Sequence, residues 1–223
     1  MRFESNYVNI YSGNMKIIQL DKTCFKVSIF LTKTKEKADV LIDPFDESII
    51  SKVKASILLF TEKKEKKDYK RGEAFLIDGP GEYEIKGIFV RGIRAQGQVQ
   101  KDGGEDIIIY TIKAEGMTVC YLGSFGQKEL SPEQIDGLGS IDVLIMPIGE
   151  FLSSKEMQKI ISQIEPKTVI PVQHDGEKLK KKMEEFLNEM GAKDIEEKEQ
   201  IVLKKKESEE DGAKVILLKR EKK

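Results

Sequence analysis

The stretch ILLFTEKKEKKDYKRGEAFLIDGPGEYEIKG, residues 57–87, decides how the rest of the chain is read. Its first four residues, Ile57 to Phe60, form an unbroken apolar run, the pattern of a strand buried on both faces. The run stops at Thr61, and residues 62–71 then carry six basic side chains against three acidic ones. A second apolar run, 74–77, ends in the compact turn Asp78-Gly79-Pro80-Gly81, whose residue types suit a tight reversal. A buried strand that opens straight into a lysine-rich loop needs an explanation, and the flanking segments supply it.

Upstream and downstream of this stretch, short strand-like segments follow one another closely. They are expected at 16–20, 24–31, 38–42, 57–60, 74–77, 82–85, 88–93, 106–112 and 117–122, with turns at 43–46, 78–81, 101–104 and 114–116. Spacing this close implies mostly antiparallel pairing. From Ser131 onward the pattern changes. Ser131 as N-cap, Pro132 at the first helical position and Glu133 in the first turn predict a short helix. The run IDVLIMPIG (141–149) predicts a buried strand. In SSKEMQKIISQIEP (153–166), Met157, Ile160, Ile161 and Ile164 recur at helical spacing, and Pro166 closes the segment. KTVIPVQ (167–173) predicts another buried strand, EKLKKKMEEFLNEMGA (177–192) a helix ended by Gly191, and 200–204 and 213–219 two last strands. The order implies an α/β protein: two sheets face to face with helices outside, a four-layer αββα sandwich whose later β-α-β units join the second sheet. Residues 15–223 are expected to form one domain. Residues 1–14 stand apart as an N-terminal extension, either an added edge strand or partner-binding arm, or a flexible leader.

With 39% hydrophobic and 35% charged residues, the chain has the composition of a globular protein with a densely charged surface. Thirty-eight basic residues nearly balance 39 acidic ones, so no global charge draws the chain to nucleic acid or an anionic membrane. No apolar run reaches the roughly 20 residues that span a bilayer, and the start lacks a secretory core. Two cysteines, Cys24 and Cys120, lie in apolar segments and are expected to be buried free thiols, consistent with a cytoplasmic protein.

The succession LDKTCFKV (20–27), LIDPFD (41–46), FLIDGPGEYEIKGIFV (75–90), TVCYLGSFG (118–126), IDVLIMPIG (141–149) and IEPKTVIPVQHDG (164–176) resembles the metallo-β-lactamase superfamily. It is most similar to the bacterial and archaeal branch of Zn-dependent hydrolases related to ascorbate-type lactonases, from about Met15 to about Met190. The resemblance implies an αββα sandwich with a cleft for two zinc ions along one edge. It also implies a His-x-His-x-Asp-His loop after the strand matched by 57–60. Imidazoles and a carboxylate at that spacing hold Zn²⁺ at about 2.0–2.2 Å and lower the pKa of its water to near neutrality.

Laid on that pattern, Glu62 and Lys64 occupy the first two histidine positions, and Lys66 and Lys67 replace the aspartate and third histidine. Ser124 stands in the position of the bridging acidic ligand, Gln173 in that of the last histidine, and Asp21-Lys22 in place of a Gly-His pair. An ammonium group has no lone pair to donate. At 4 Å it opposes a divalent ion by on the order of 8 kcal/mol at an effective dielectric near 20. No register shift restores the set, because residues 55–75 contain no histidine. The expectation is therefore no catalytic residue, no protein-held metal and no cofactor, where the family norm is two zinc ions.

Other candidates remain. His174, the single histidine, could slip into the ligand role or pair with Asp175 as a general base, and otherwise reads as a loop histidine at a strand end. Asp43 and Asp78 each follow a strand and open a turn; local Asx-turn bonding accounts for both, with a role in the cleft as the alternative. Lys64, Lys66 and Lys67 could together hold a small anion. The leading expectation is a catalytically degenerate relative that binds a partner or itself. Its alternative is a lactone or phosphoester hydrolase with a centre rebuilt from Glu62, Asp78, Glu82, His174 or Asp175. Only Tyr69 interrupts the basic run for base stacking, so nucleic acid is not expected as a partner, and neither is a membrane.

Overall fold

In the computed structural model the described residues are 15–62, 72–100, 103–149, 152–173, 177–192, 195–204 and 213–221. The extension 1–14 lies outside them. The chain begins with β1 (Met15–Gln19), β2 (Phe25–Leu31) and β3 (Glu36–Ile42), an antiparallel meander, then crosses through α1 (Glu47–Lys52) to β4 (Ile57–Leu59) and on to β5 (Phe75–Ile77), both parallel to β3. It then enters a second sheet through β6 (Gly81–Ile85), β7 (Ile88–Gln100), β8 (Gly103–Ala114) and β9 (Met117–Tyr121), antiparallel throughout. Next come α2 (Pro132–Leu138), β10 (Val143–Ile148), α3 (Ser154–Ile164), β11 (Thr168–Gln173) and α4 (Glu177–Glu189), which place β10 and β11 parallel to β9. The last two strands separate: β12 (Ile201–Leu203) pairs with β1, and β13 (Lys214–Val215) with β11. The result is a six-stranded sheet, β12-β1-β2-β3-β4-β5, facing a seven-stranded one, β13-β11-β10-β9-β8-β7-β6.

Period-2 alternation builds the layers. Ile17, Phe25, Val27, Val40 and Ile57 of the first sheet meet Val90, Ile108, Tyr110, Val119, Tyr121, Ile145 and Ile170 of the second in the central core. The opposite faces of β8–β11, carrying Ile107, Ile109, Cys120, Leu144 and Met146, are covered by Leu138 of α2, Met157, Ile160 and Ile161 of α3, and Met183 and Phe186 of α4. On the far side, Ile50 of α1 packs on Leu41 and Leu58. The αββα sandwich expected from the sequence is the fold observed, with Cys24 and Cys120 buried and unpaired.

Three local expectations are corrected. The helix α1 was not foreseen; the Asp46 side chain caps it by accepting from Ser48 N at 2.9 Å. β7 and β8 run 13 and 12 residues, well past the apolar cores at 88–93 and 106–112. Their outer ends are a ribbon held by ladder hydrogen bonds, with a register shift between Gln96 and Val99. β12 and β13 are shorter than their apolar runs, at three and two residues. Among the described residues no helix is long and apolar enough to cross a membrane.

Candidate functional site: the rim at the strand ends

Three connections meet where the C-terminal ends of β3, β4 and β9 come together. Asp43 follows β3 in a left-handed conformation (φ 47°), and its own N–H donates to Leu59 O at 2.9 Å. That fold-back turns its side chain inward. The carboxylate accepts from Thr61 N at 2.8 Å and from Thr61 Oγ1 at 2.7 Å, and Asp43 is only 3% exposed. Thr61 O in turn accepts from Ile108 N of the second sheet at 2.8 Å, and Glu62 bridges to Ile107. Thr61 is thus the point at which the loop after β4 is fastened to both sheets.

Gly123 completes the cluster from β9. Its φ is +59°, and a Cβ there would stand 2.7 Å from Thr61 Oγ1, so only glycine allows this approach. Ser124 follows, its carbonyl accepting from Gln98 N at 2.9 Å, while Phe125 bridges to Gly97. Tyr121 lies beneath the cluster and donates to Thr23 O at 2.8 Å, and Tyr110 donates to Phe60 O at 3.1 Å.

Asp43 forms no ion pair with a described lysine or arginine. Burial pushes its carboxyl up to about 6, opposed by the two Thr61 hydrogen bonds and reinforced by the negative charge of Glu62. Burial likewise raises the Tyr121 phenol, with the Asp43 charge adding to it, so the phenol remains a neutral donor. The Cys24 thiol beside this cluster is pushed up by burial and then by Asp43, which leaves it inert as a nucleophile or ligand.

Asp43, Glu62 and Ser124 are therefore brought to one rim by the chain path. Gln173, at the end of β11, pairs in register with Ile148 of β10, next to β9. Lys64, Lys66, Lys67, His174 and Asp175 lie outside the described residues. The Asx-turn account of Asp43 is corrected, because its side chain bonds Thr61, 18 residues away, rather than its own turn. Asp78 is exposed at the turn between β5 and β6. Glu82 stands on the outer face of the second sheet, 2.5 Å from Arg91, on the side opposite Tyr110 and the central core. Thr61 and Gly123 were not singled out from the sequence. The glycine after the apolar run TVCYL was the signal available for the second.

The donor set does not suit a pair of zinc ions. Of the side chains in the six positions that the resemblance assigns to ligands, only Glu62 is a zinc donor, while Lys64, Lys66 and Lys67 are cations. The buried carboxylate nearby, Asp43, is already satisfied by Thr61. Among the described residues no three His, Cys, Asp or Glu side chains gather in a way that could hold a metal ion.

A family model described as "Beta-lactamase superfamily domain" matches residues 20–173. No curated protein matches the chain. Among solved structures, the chain is similar to a protein from Thermotoga maritima described as a Zn-dependent hydrolase of the metallo-β-lactamase superfamily. The identity is 24% and the TM-score 0.69, over 92% of this chain and all of that one. A metal-dependent hydrolase from Parabacteroides distasonis aligns at 14% identity and a TM-score of 0.57, over 93% and 94% of the two chains. A metallo hydrolase from the archaeon Ignicoccus hospitalis aligns at 14% and 0.58, over 85% and 99%. At these identities the structural likeness speaks for the fold. The family match spans most of the chain, and the chain belongs to the metallo-β-lactamase superfamily.

Proposed function

We propose that this protein is a catalytically degenerate member of its superfamily, one that has kept the sandwich and given up the dinuclear metal chemistry. Its cleft rim then serves binding, to a partner, to a second copy of itself or to a small anion. The observation that carries the reading is the residue set after β4: Thr61 is fastened as the root of a ligand loop, yet Lys64, Lys66 and Lys67 follow it. Three ammonium groups in a ligand loop repel a divalent cation and attract an anion. The Thermotoga maritima relative is described as Zn-dependent; this chain carries neither the histidines nor the aspartate that such chemistry requires at those positions.

Metal analysis of the purified protein tests the proposal. The expected result is zinc, manganese and iron far below one equivalent per chain. Near-stoichiometric metal that survives dialysis and is lost on substitution of Glu62 would overturn it.

A further inference from the structure

A second site stands on the outer face of the seven-stranded sheet, where α2 stops short of covering β6–β9. A groove of about 610 Å³ opens there. Its floor is a cross-strand row: Phe89 of β7 pairs with Lys113 of β8, which pairs with Thr118 of β9, and one row along Arg91 pairs with Thr111. The C-terminal end of α2, Gly137 to Ser140, forms one wall.

The charged groups around the floor fall into two classes. Arg91 is held in place, donating through Nη1 to Gly137 O at 2.8 Å and through Nη2 to Glu82 at 2.5 Å. Lys167 is held by Asp142 at 2.7 Å, and the other oxygen of Asp142 accepts from Thr118 N at 2.8 Å. Lys113 differs: it makes no ion pair with any described residue, and it stands between Phe89 and Thr118. The hydroxyls of Thr111 and Thr118 also have no hydrogen-bond partner among the described residues. Their residues are 6% and 8% exposed, and both line the groove. Neither hydroxyl is sealed off, since the fully buried polar side-chain atoms that lack a partner among the described residues are Ser28 Oγ and Asp39 Oδ1; both threonine hydroxyls therefore open into the groove, free to donate to whatever occupies it. Phe89 leaves half its surface, 51%, in solvent beside them.

Taken together, one ammonium without an ion pair, two hydroxyls open to the groove and an exposed ring make a complementary set. An oxyanion accepts from Lys113 and both threonines, and a planar apolar group covers Phe89. Glu82 and Asp142 offset two of the three neighbouring cations, Arg91, Lys113 and Lys167, so the groove favours a small anion over an extended polyanion. We infer that this groove binds a small aromatic oxyanion, a ring bearing a carboxylate or a phosphate. The site is separate from the rim at the strand ends and does not depend on whether that rim holds metal.

Backbone amide shifts of the intact protein test this, with benzoate and adenosine monophosphate as ring-bearing probes and inorganic phosphate and adenosine as single-feature controls. Saturable shifts centred on Phe89, Thr111, Lys113 and Thr118 are expected with one or both ring-bearing probes, and binding at least about tenfold weaker for the controls. Lys113→Gln and Thr118→Val should each weaken that binding by about tenfold, with the remaining spectrum unchanged as the check on folding. The inference falls if neither ring-bearing probe shifts these amides at millimolar concentration. It also falls if phosphate alone binds as tightly, or if Lys113→Gln binds undiminished.

Discussion

Asp43 illustrates how far a single side chain is set by its surroundings. Its two acceptor bonds to Thr61 favour the carboxylate, yet burial outweighs them and lifts its pKa from 3.8 to about 6. A folded-state pKa above the unfolded one means stability that is complete below pH 3.8 and is lost as pH rises through about 6. A shift of about two units amounts to roughly 3 kcal/mol for a group this deeply buried. Urea melts of wild type and Asp43→Asn should therefore show the stability difference moving against wild type, by up to about 3 kcal/mol, between roughly pH 4 and roughly pH 7. A difference that stays flat over that range would mean that Asp43 is not the buried, uncompensated carboxylate described here. At this scale the sequence was silent about contact. The proposed loss of ligation rests on residue type alone, since the ammonium groups of lysines 64, 66 and 67 have no lone pair to donate. The Asp43–Thr61 pair joins residues 18 apart in different elements, and neither residue type announces such a bond.

Among the elements, α2 was legible because its start is written in local chemistry. Ser131, Pro132 and Gln134 produce a capping box in which Gln134 Oε1 accepts from Ser131 N at 2.9 Å. What the sequence did not disclose is that Gln134 is buried and ties the helix to the sheet. Its Nε2 donates to Arg94 O of β7 at 2.8 Å and to Gln127 Oε1 at 3.0 Å. Gln134→Leu keeps the helix former but strands Arg94 O, Ser131 N and the Gln127 amide. Chemical denaturation should show a loss of about 2–3 kcal/mol, more than the ~1 kcal/mol that loss of a cap alone costs. A loss of 1 kcal/mol or less would reduce Gln134 to a capping residue. By contrast α1 escaped notice because six residues carry too little periodicity, and its Asp46 cap sits inside a segment that reads as a turn. The outer ends of β7 and β8 escaped for the opposite reason. GQVQKDGGED has the composition of a loop, and the ladder there is held by backbone groups rather than by an apolar face.

At the scale of the molecule, the layers followed from the order of patterns: closely spaced strands first, then strands alternating with amphipathic helices. The sorting of β12 and β13 onto different sheets did not follow, because two or three residues specify no partner. The groove beside Lys113 was equally invisible, since Phe89, Thr111, Lys113 and Thr118 each look like the solvent half of an alternating strand. Stability offers a test of the whole architecture that no single site provides. A metalloenzyme of this fold would gain stability from its ions by mass action, about 2.7 kcal/mol at a hundredfold excess over the dissociation constant. For a chain of this size that corresponds to a rise in melting temperature of roughly 5–10 °C. Here the two sheets are already fastened at the rim by neutral and singly charged groups: Thr61 to Asp43, Ile108 to Thr61, and Gly123 packed against Thr61. The melting temperature should accordingly be indifferent both to chelator and to added zinc. A rise with zinc that chelation reverses would show an ion helping to hold the rim together, and the degenerate reading would then give way to a rebuilt metal centre.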